Sequence, residues 1–187
     1  MELKETLSKK PVKFLTLLLT AMLVATASAA VYYAMLMQSK GTVTMAPVYF
    51  TEGNDSSGIL APGANYTYAS LSLSAYPNVT LYYDQAVNLT ATADKQVQLR
   101  HVSISPDNDP SVSNFTSIVF RLIKANGTEV GNLTYTTSGD NWIEPTAPTG
   151  YVTIGAGEEW TIKVEIKATA GANTGVSTTI MIAVDVR

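Results

Sequence analysis

His101 is the only histidine in 187 residues, and that limits the chemistry at once. A zinc-hydrolase motif such as H-E-x-x-H needs two imidazoles, and the chain also lacks a Gly-x-Ser-x-Gly elbow and a phosphate-binding glycine loop. Without cysteine there can be no thiolate metal site, cysteine nucleophile or disulfide. Asp107 and Asp109 in SPDNDPS could offer oxygens to calcium, but the stretch has neither the glycine nor the closing glutamate of an EF-hand loop, so a capped turn is expected. Glu158 and Glu159 read as a charged turn before a strand. His101 itself is expected on a strand, facing solvent. The expectation is no catalytic residue, no metal and no cofactor, hence not an enzyme.

A different chemistry is written more densely. Seven of the ten asparagines stand in Asn-X-Ser/Thr: Asn54, Asn65, Asn78, Asn88, Asn114, Asn126 and Asn132. With 39 serines and threonines in the chain, chance would give about two. Asparagine also favours turns and threonine strands, but the excess points to a surface carrying N-linked glycans. Asn88 and Asn132 fall within or beside strands and the others in loops. Charged residues make up only 14% against roughly 25% in ordinary soluble domains, so sugar and Ser, Thr, Asn and Gly would supply the solubility that charge does not. The ten tyrosines, with pairs at Tyr32-Tyr33 and Tyr82-Tyr83, read as core and interface packing in preference to a carbohydrate platform.

The elements that would carry these residues are strands. From Gly41 onward, alternation and turn signals recur at short intervals without sustained helical periodicity. Val43 to Phe50 is a strand that Pro47 confines to an edge or bulge, because proline lacks a ladder donor. Glu52 to Asn65 has loop composition. Strands follow at Tyr66 to Leu73, Val79 to Tyr83 and Val87 to Ala91, the last two separated at Asp84-Gln85. Val97 and Leu99 differ in parity from Val102 and Ile104, which a bulge near Arg100 or His101 would reconcile. After a loop from Ser105 to Asn114, the alternation around Ile118, Phe120 and Leu122 meets Asn126-Gly127, a hairpin turn into Val130 to Tyr135. Ser138 to Gly150 reads as a loop, Tyr151 to Ile154 as a strand. Trp160, Ile162, Val164 and Ile166 alternate with polar residues, and Ile180 to Val186 forms the last strand. About ten strands favour an all-β domain, a β-sandwich or jelly roll, over residues 42–187.

Ahead of it lies a leader. Lys9, Lys10 and Lys13 precede an apolar run from Phe14 to Val24, then Ala25-Thr26-Ala27 or Ala27-Ser28-Ala29 at the spacing of a signal-peptide cleavage site, so residues 1–29 read as a cleaved secretory signal. Two alternatives stay open. Phe14 to Met37 is uncharged over 24 residues and could be retained as a transmembrane helix anchoring a surface binding module. A type IV-like pilin would keep the same helix, although Lys13 leads directly into Phe14 with no Gly or Ala at the junction. The formal net charge of −3 becomes about −5 once the leader is set aside, which disfavours nucleic acid as a partner.

Between leader and domain, Val31, Tyr33, Met35 and Met37 alternate with Tyr32, Ala34 and Leu36, so a strand here is apolar on both faces. Such a strand belongs inside a sheet. At a mature N-terminus the simplest place is a neighbour's open sheet edge, which makes the chain a polymer subunit. Burying about six large side chains yields on the order of 10 kcal/mol and ordering nine residues costs a similar amount, so the strand gains little alone and needs a preformed groove.

The signal peptide, the segment AVYYAMLMQSKGTVTMAPVYF behind it, and an all-β body containing GAGEEWTIKVEIKA resemble the TasA/camelysin-like secreted proteins, most of all the archaeal bundling pilins. The resemblance covers the whole chain as layout and pattern. It implies a jelly-roll subunit that polymerises head to tail by donor-strand complementation into pili that bundle in biofilms, with Ala30 to Gln38 as donor and Ser39, Lys40 and Gly41 as hinge, together the segment 30–41. The partners would be other copies of the chain, its glycans, and neighbouring filaments or cell surfaces. The location would be extracellular, with the membrane met only during export. Some relatives carry a peptidase label, which the single histidine argues against.

Overall fold

A computed structural model of the chain describes residues 46–63 and 66–187. The signal segment 1–29, the donor strand Val31–Met37, the hinge Ser39–Gly41, residues 43–45 of the first body strand and the sequon asparagine Asn65 lie outside the described residues. Eleven strands, all paired antiparallel, form two sheets, and no α-helix is present among the described residues. They are β1 (Val48–Glu52), β2 (Leu60–Pro62), β3 (Tyr68–Ser74), β4 (Thr80–Ala91), β5 (Lys95–Ser105), β6 (Phe115–Ile123), β7 (Glu129–Ser138), β8 (Asn141–Ile143), β9 (Val152–Ile154), β10 (Glu159–Ala168) and β11 (Ser177–Val186). One sheet runs β1-β4-β10-β6-β7-β8 and the other β2-β3-β11-β5-β9.

Alternation places the core. On β10, Trp160, Ile162, Val164 and Ile166 are buried while Thr161, Lys163, Glu165 and Lys167 face out. Leu71, Leu73, Leu99, Ile180 and Ile182 of the second sheet join Phe50, Leu89, Ile118, Phe120 and Leu122 of the first in one continuous apolar cluster. β1 begins at Val48, directly after Pro47, and takes the outermost place in its sheet, in keeping with proline's missing donor. The Asn126-Gly127 hairpin forms: Gly127 adopts φ +84° and its N–H donates to the Lys124 carbonyl at 2.8 Å.

Four local expectations are corrected. The stretch Glu52 to Asn65 is not all loop, since β2 pairs with β3, and Ser138 to Gly150 contains β8, which folds back on β7. Three-residue strands leave too little alternation to read from sequence. Asp84-Gln85 does not separate two strands: β4 runs through it as a bulge, the three residues Asp84 to Ala86 facing the single residue Lys163 on β10. The β5 bulge also forms, slightly later than expected. Val102 is the residue left over between His101 and Ser103, and it is 41% exposed instead of sharing the buried parity of Ile104.

Candidate functional site

The bulged strand β4 leaves an opening at the edge of the first sheet. Its flank toward β10 is paired from Thr80 to Thr90, whereas β1 covers the other flank only from Val87 to Ala91. Beyond Glu52 the chain turns away. At Gly53 it presses so closely on β4 that an added Cβ would lie 1.9 Å from the Gln85 carbonyl oxygen, a place only glycine can occupy. Asp55 then clasps the bulge, its N–H donating to the Gln85 carbonyl and its carboxylate accepting from the Gln85 N–H, both at 3.0 Å. Among the described residues, no strand pairs with Thr80–Asp84 on that side.

Behind the open flank the apolar layer is incomplete. Leu81 and Tyr83 point inward yet are only half-buried, and Ile59 and Leu60, at the edge of the facing sheet, are in the same state. Burial first, then the neighbouring Tyr76 and Asp55, raises the Tyr83 phenol above its ordinary pKa. Two clefts open beside β1 and the loop that follows it. One of about 340 Å³ is bordered by Tyr49, Phe50, Thr51, Glu52 and Tyr66, and one of about 480 Å³ by Glu52, Gly53, Asn54, Ser56, Ser57, Gly58 and Leu60. The register also fixes direction. The chain enters β1 opposite Ala91, at one end of β4, and the uncovered residues Thr80–Asp84 lie at the other end.

No family model matches this sequence, and a search of curated proteins finds no match to it.

The other residues singled out by sequence are dispersed. Asn54, Asn78, Asn126 and Asn132 are exposed, and Asn88 is half-exposed on the outward face of β4. Asn114 departs from the expectation of a loop asparagine open to solvent. It is 6% exposed, its Nδ2 donates to the Ser111 carbonyl at 2.8 Å, and its Oδ1 accepts the Asn173 N–H at 2.6 Å. Asp109 caps the short 3-10 turn Pro110–Asn114 through the Ser111 N–H, and hydrogen bonds from Ser111 hold its carboxyl below the usual range. Asp107 accepts the Trp142 N–H at 3.0 Å. No three His, Asp or Glu side chains among the described residues are grouped to hold a metal ion.

His101 corrects its expectation. Its side chain is only 15% exposed and turns into the gap between sheets, with Nδ1 3.0 Å from the Tyr135 hydroxyl and Nε2 3.0 Å from Glu144 Oε2. An Nε2–H donated to Glu144 leaves Nδ1 to accept the Tyr135 O–H, which satisfies all three groups. The link ties β5 of one sheet to β7 of the other. Alternation alone gives no hint of it, because Tyr135 and Glu144 lie 34 and 43 residues away in sequence.

Proposed function

We propose that this chain is the non-enzymatic subunit of an extracellular filament, joined head to tail by donor-strand complementation. Residues Val31–Met37 of one copy would lie along the open flank of β4 in the next. The observation that carries this reading is that flank: five residues of unpaired strand over half-covered Leu81 and Tyr83, at the end of β4 opposite the point of chain entry. Unpaired strand edges invite another strand, and a two-faced apolar segment is suited to fill one. Because donor and acceptor are different surfaces at different ends, the contact is heterologous and propagates without closing. The resemblance to TasA/camelysin-like proteins and archaeal bundling pilins belongs to the same proposal. So do a jelly-roll winding of the two sheets, export through the 1–29 signal, N-linked glycans, and a role in adhesion or biofilm bundling.

Electron microscopy of two purified forms, one beginning at Ala30 and one at Gly41, tests it at matched concentration. Filaments from the longer form and monomers from the shorter are expected. Monomers from both would overturn the proposal in favour of a surface module anchored by Phe14–Met37, and filaments from both would move assembly to another surface.

A further inference from the structure

The outward face of the six-stranded sheet holds an aromatic ring with little beside it. Tyr82 is 67% exposed, more than any other large hydrophobic side chain among the described residues. Across the sheet its row continues through Glu165, Val119 and Thr134. The charges around it are paired, with one carboxylate in excess: Lys163 pairs with Asp84 at 3.0 Å, and Arg121 with both Glu129 at 3.2 Å and Glu165 at 3.3 Å. What remains is a flat surface with Tyr82 bare and Val119 and Ile123 half-covered.

Two sequon asparagines open on this same face, and both are held alike. Asn88 Nδ2 donates to Glu159 Oε1 and Asn132 Nδ2 to Glu129 Oε1, each at 3.0 Å. An amide nitrogen has two hydrogens, so each carboxylate orients its asparagine while leaving one N–H outward. N-glycosylation replaces one hydrogen only. With a lipid-diphosphate-linked oligosaccharide as donor, the sugar C1–O bond to the diphosphate breaks, the Nδ2–C1 bond forms, and the displaced proton leaves with the diphosphate. Neither bond to glutamate is lost. Asn114 also uses only one of its two Nδ2 hydrogens, but at 6% exposure it is enclosed where no oligosaccharide can reach it.

We propose that Asn88 and Asn132 carry N-linked oligosaccharides that lie along this face with a sugar ring stacked on Tyr82, and that Asn114 stays unmodified. The inference rests on the reading of the chain as an exported glycoprotein and is independent of how subunits join. From the register, Asn88 is two outward rows from Tyr82, about 14 Å, and Asn132 is three strands across and one row along, about 16 Å. Both are within reach of a short oligosaccharide. The apolar face of a sugar ring suits an exposed aromatic whose edge is wet.

The test uses the full chain from its own cells beside an Asn88→Gln/Asn132→Gln variant from the same cells. Peptide mass mapping is expected to find sugar on the peptides holding Asn88 and Asn132 and none on Asn114. Hydroxyl-radical oxidation of Tyr82 is expected to rise at least about fivefold in the variant, with Tyr151 unchanged as the control. Unmodified Asn88 and Asn132, a modified Asn114, or equal oxidation of Tyr82 in both proteins would each overturn the inference. Glycans at both positions in a protein that forms no filaments would overturn the polymer reading alone, and bare asparagines in intact filaments would overturn this one alone.

Discussion

Tyr135 has no exposed surface, and burial first, then the Glu144 carboxylate, pushes its phenol well above the ordinary tyrosine range. A phenol with a raised folded-state pKa keeps its proton in the folded protein at a pH where the unfolded chain has lost it. The stability tied to that proton is therefore complete below about pH 10 and declines as pH rises beyond it. Tyr135→Phe is expected to flatten this alkaline decline in thermal melts. At pH 7 it should cost about 1 kcal/mol for the lost hydrogen bond to His101. A decline unchanged in Tyr135→Phe would mean another group carries it. Little of this residue-level chemistry was legible in the sequence. A lone histidine on an alternating strand gives the same pattern whether it meets water or a buried hydroxyl, and only the β5 bulge and the pairing of distant strands decide which.

At the scale of elements, what sequence periodicity reports well is a strand with one wet face, and β10 is such a strand. It reports breaks poorly, since a bulge and a turn use the same residues. Asp84-Gln85 has the polarity of a turn, and the distinction rests on Asp55, thirty residues earlier, which holds the chain extended there. That distinction matters for the proposed assembly, because one continuous β4 creates the uncovered flank that two short strands would not. Leu81→Lys places a charge at the half-covered layer beneath that flank. It is expected to leave the folded monomer within about 1 kcal/mol of its parent, since the site is already partly wet, and to block filament growth by the form beginning at Ala30. Filaments of undiminished length in negative stain would place the acceptor elsewhere. Tyr33→Asp with Met35→Asp is the matching change on the donor, and mixing that variant with Leu81→Lys chains should yield dimers at most.

For the whole molecule, the all-β class and the edge position of β1 follow from composition, alternation and one proline. The pairing order of two sheets does not, because each strand's alternation is compatible with several neighbours. Both sheets share one core, so a large cavity anywhere in it is felt throughout. Trp160→Ala is expected to cost about 3–5 kcal/mol and to lower a single unfolding transition in denaturant without splitting it. A filament built end to end from this domain must also advance by at least the length of its strands. For the twelve residues of β4, less the bulge, that sets an axial repeat of about 30 Å or more. A markedly shorter repeat in electron micrographs would indicate subunits stacked sideways.

The Asp55 clasp on Gln85 has one more effect. A segment that is apolar on both sides has little chemical reason to prefer one alignment over the next, since a slip by one residue exchanges one set of apolar side chains for another. In the proposed assembly, an incoming strand entering from the Thr80 end would slide only until it met Asp55, whose N–H and carboxylate already occupy the carbonyl and N–H of Gln85. The loop would thus work as an end stop for the proposed donor strand, setting by obstruction an alignment that side-chain polarity leaves undecided.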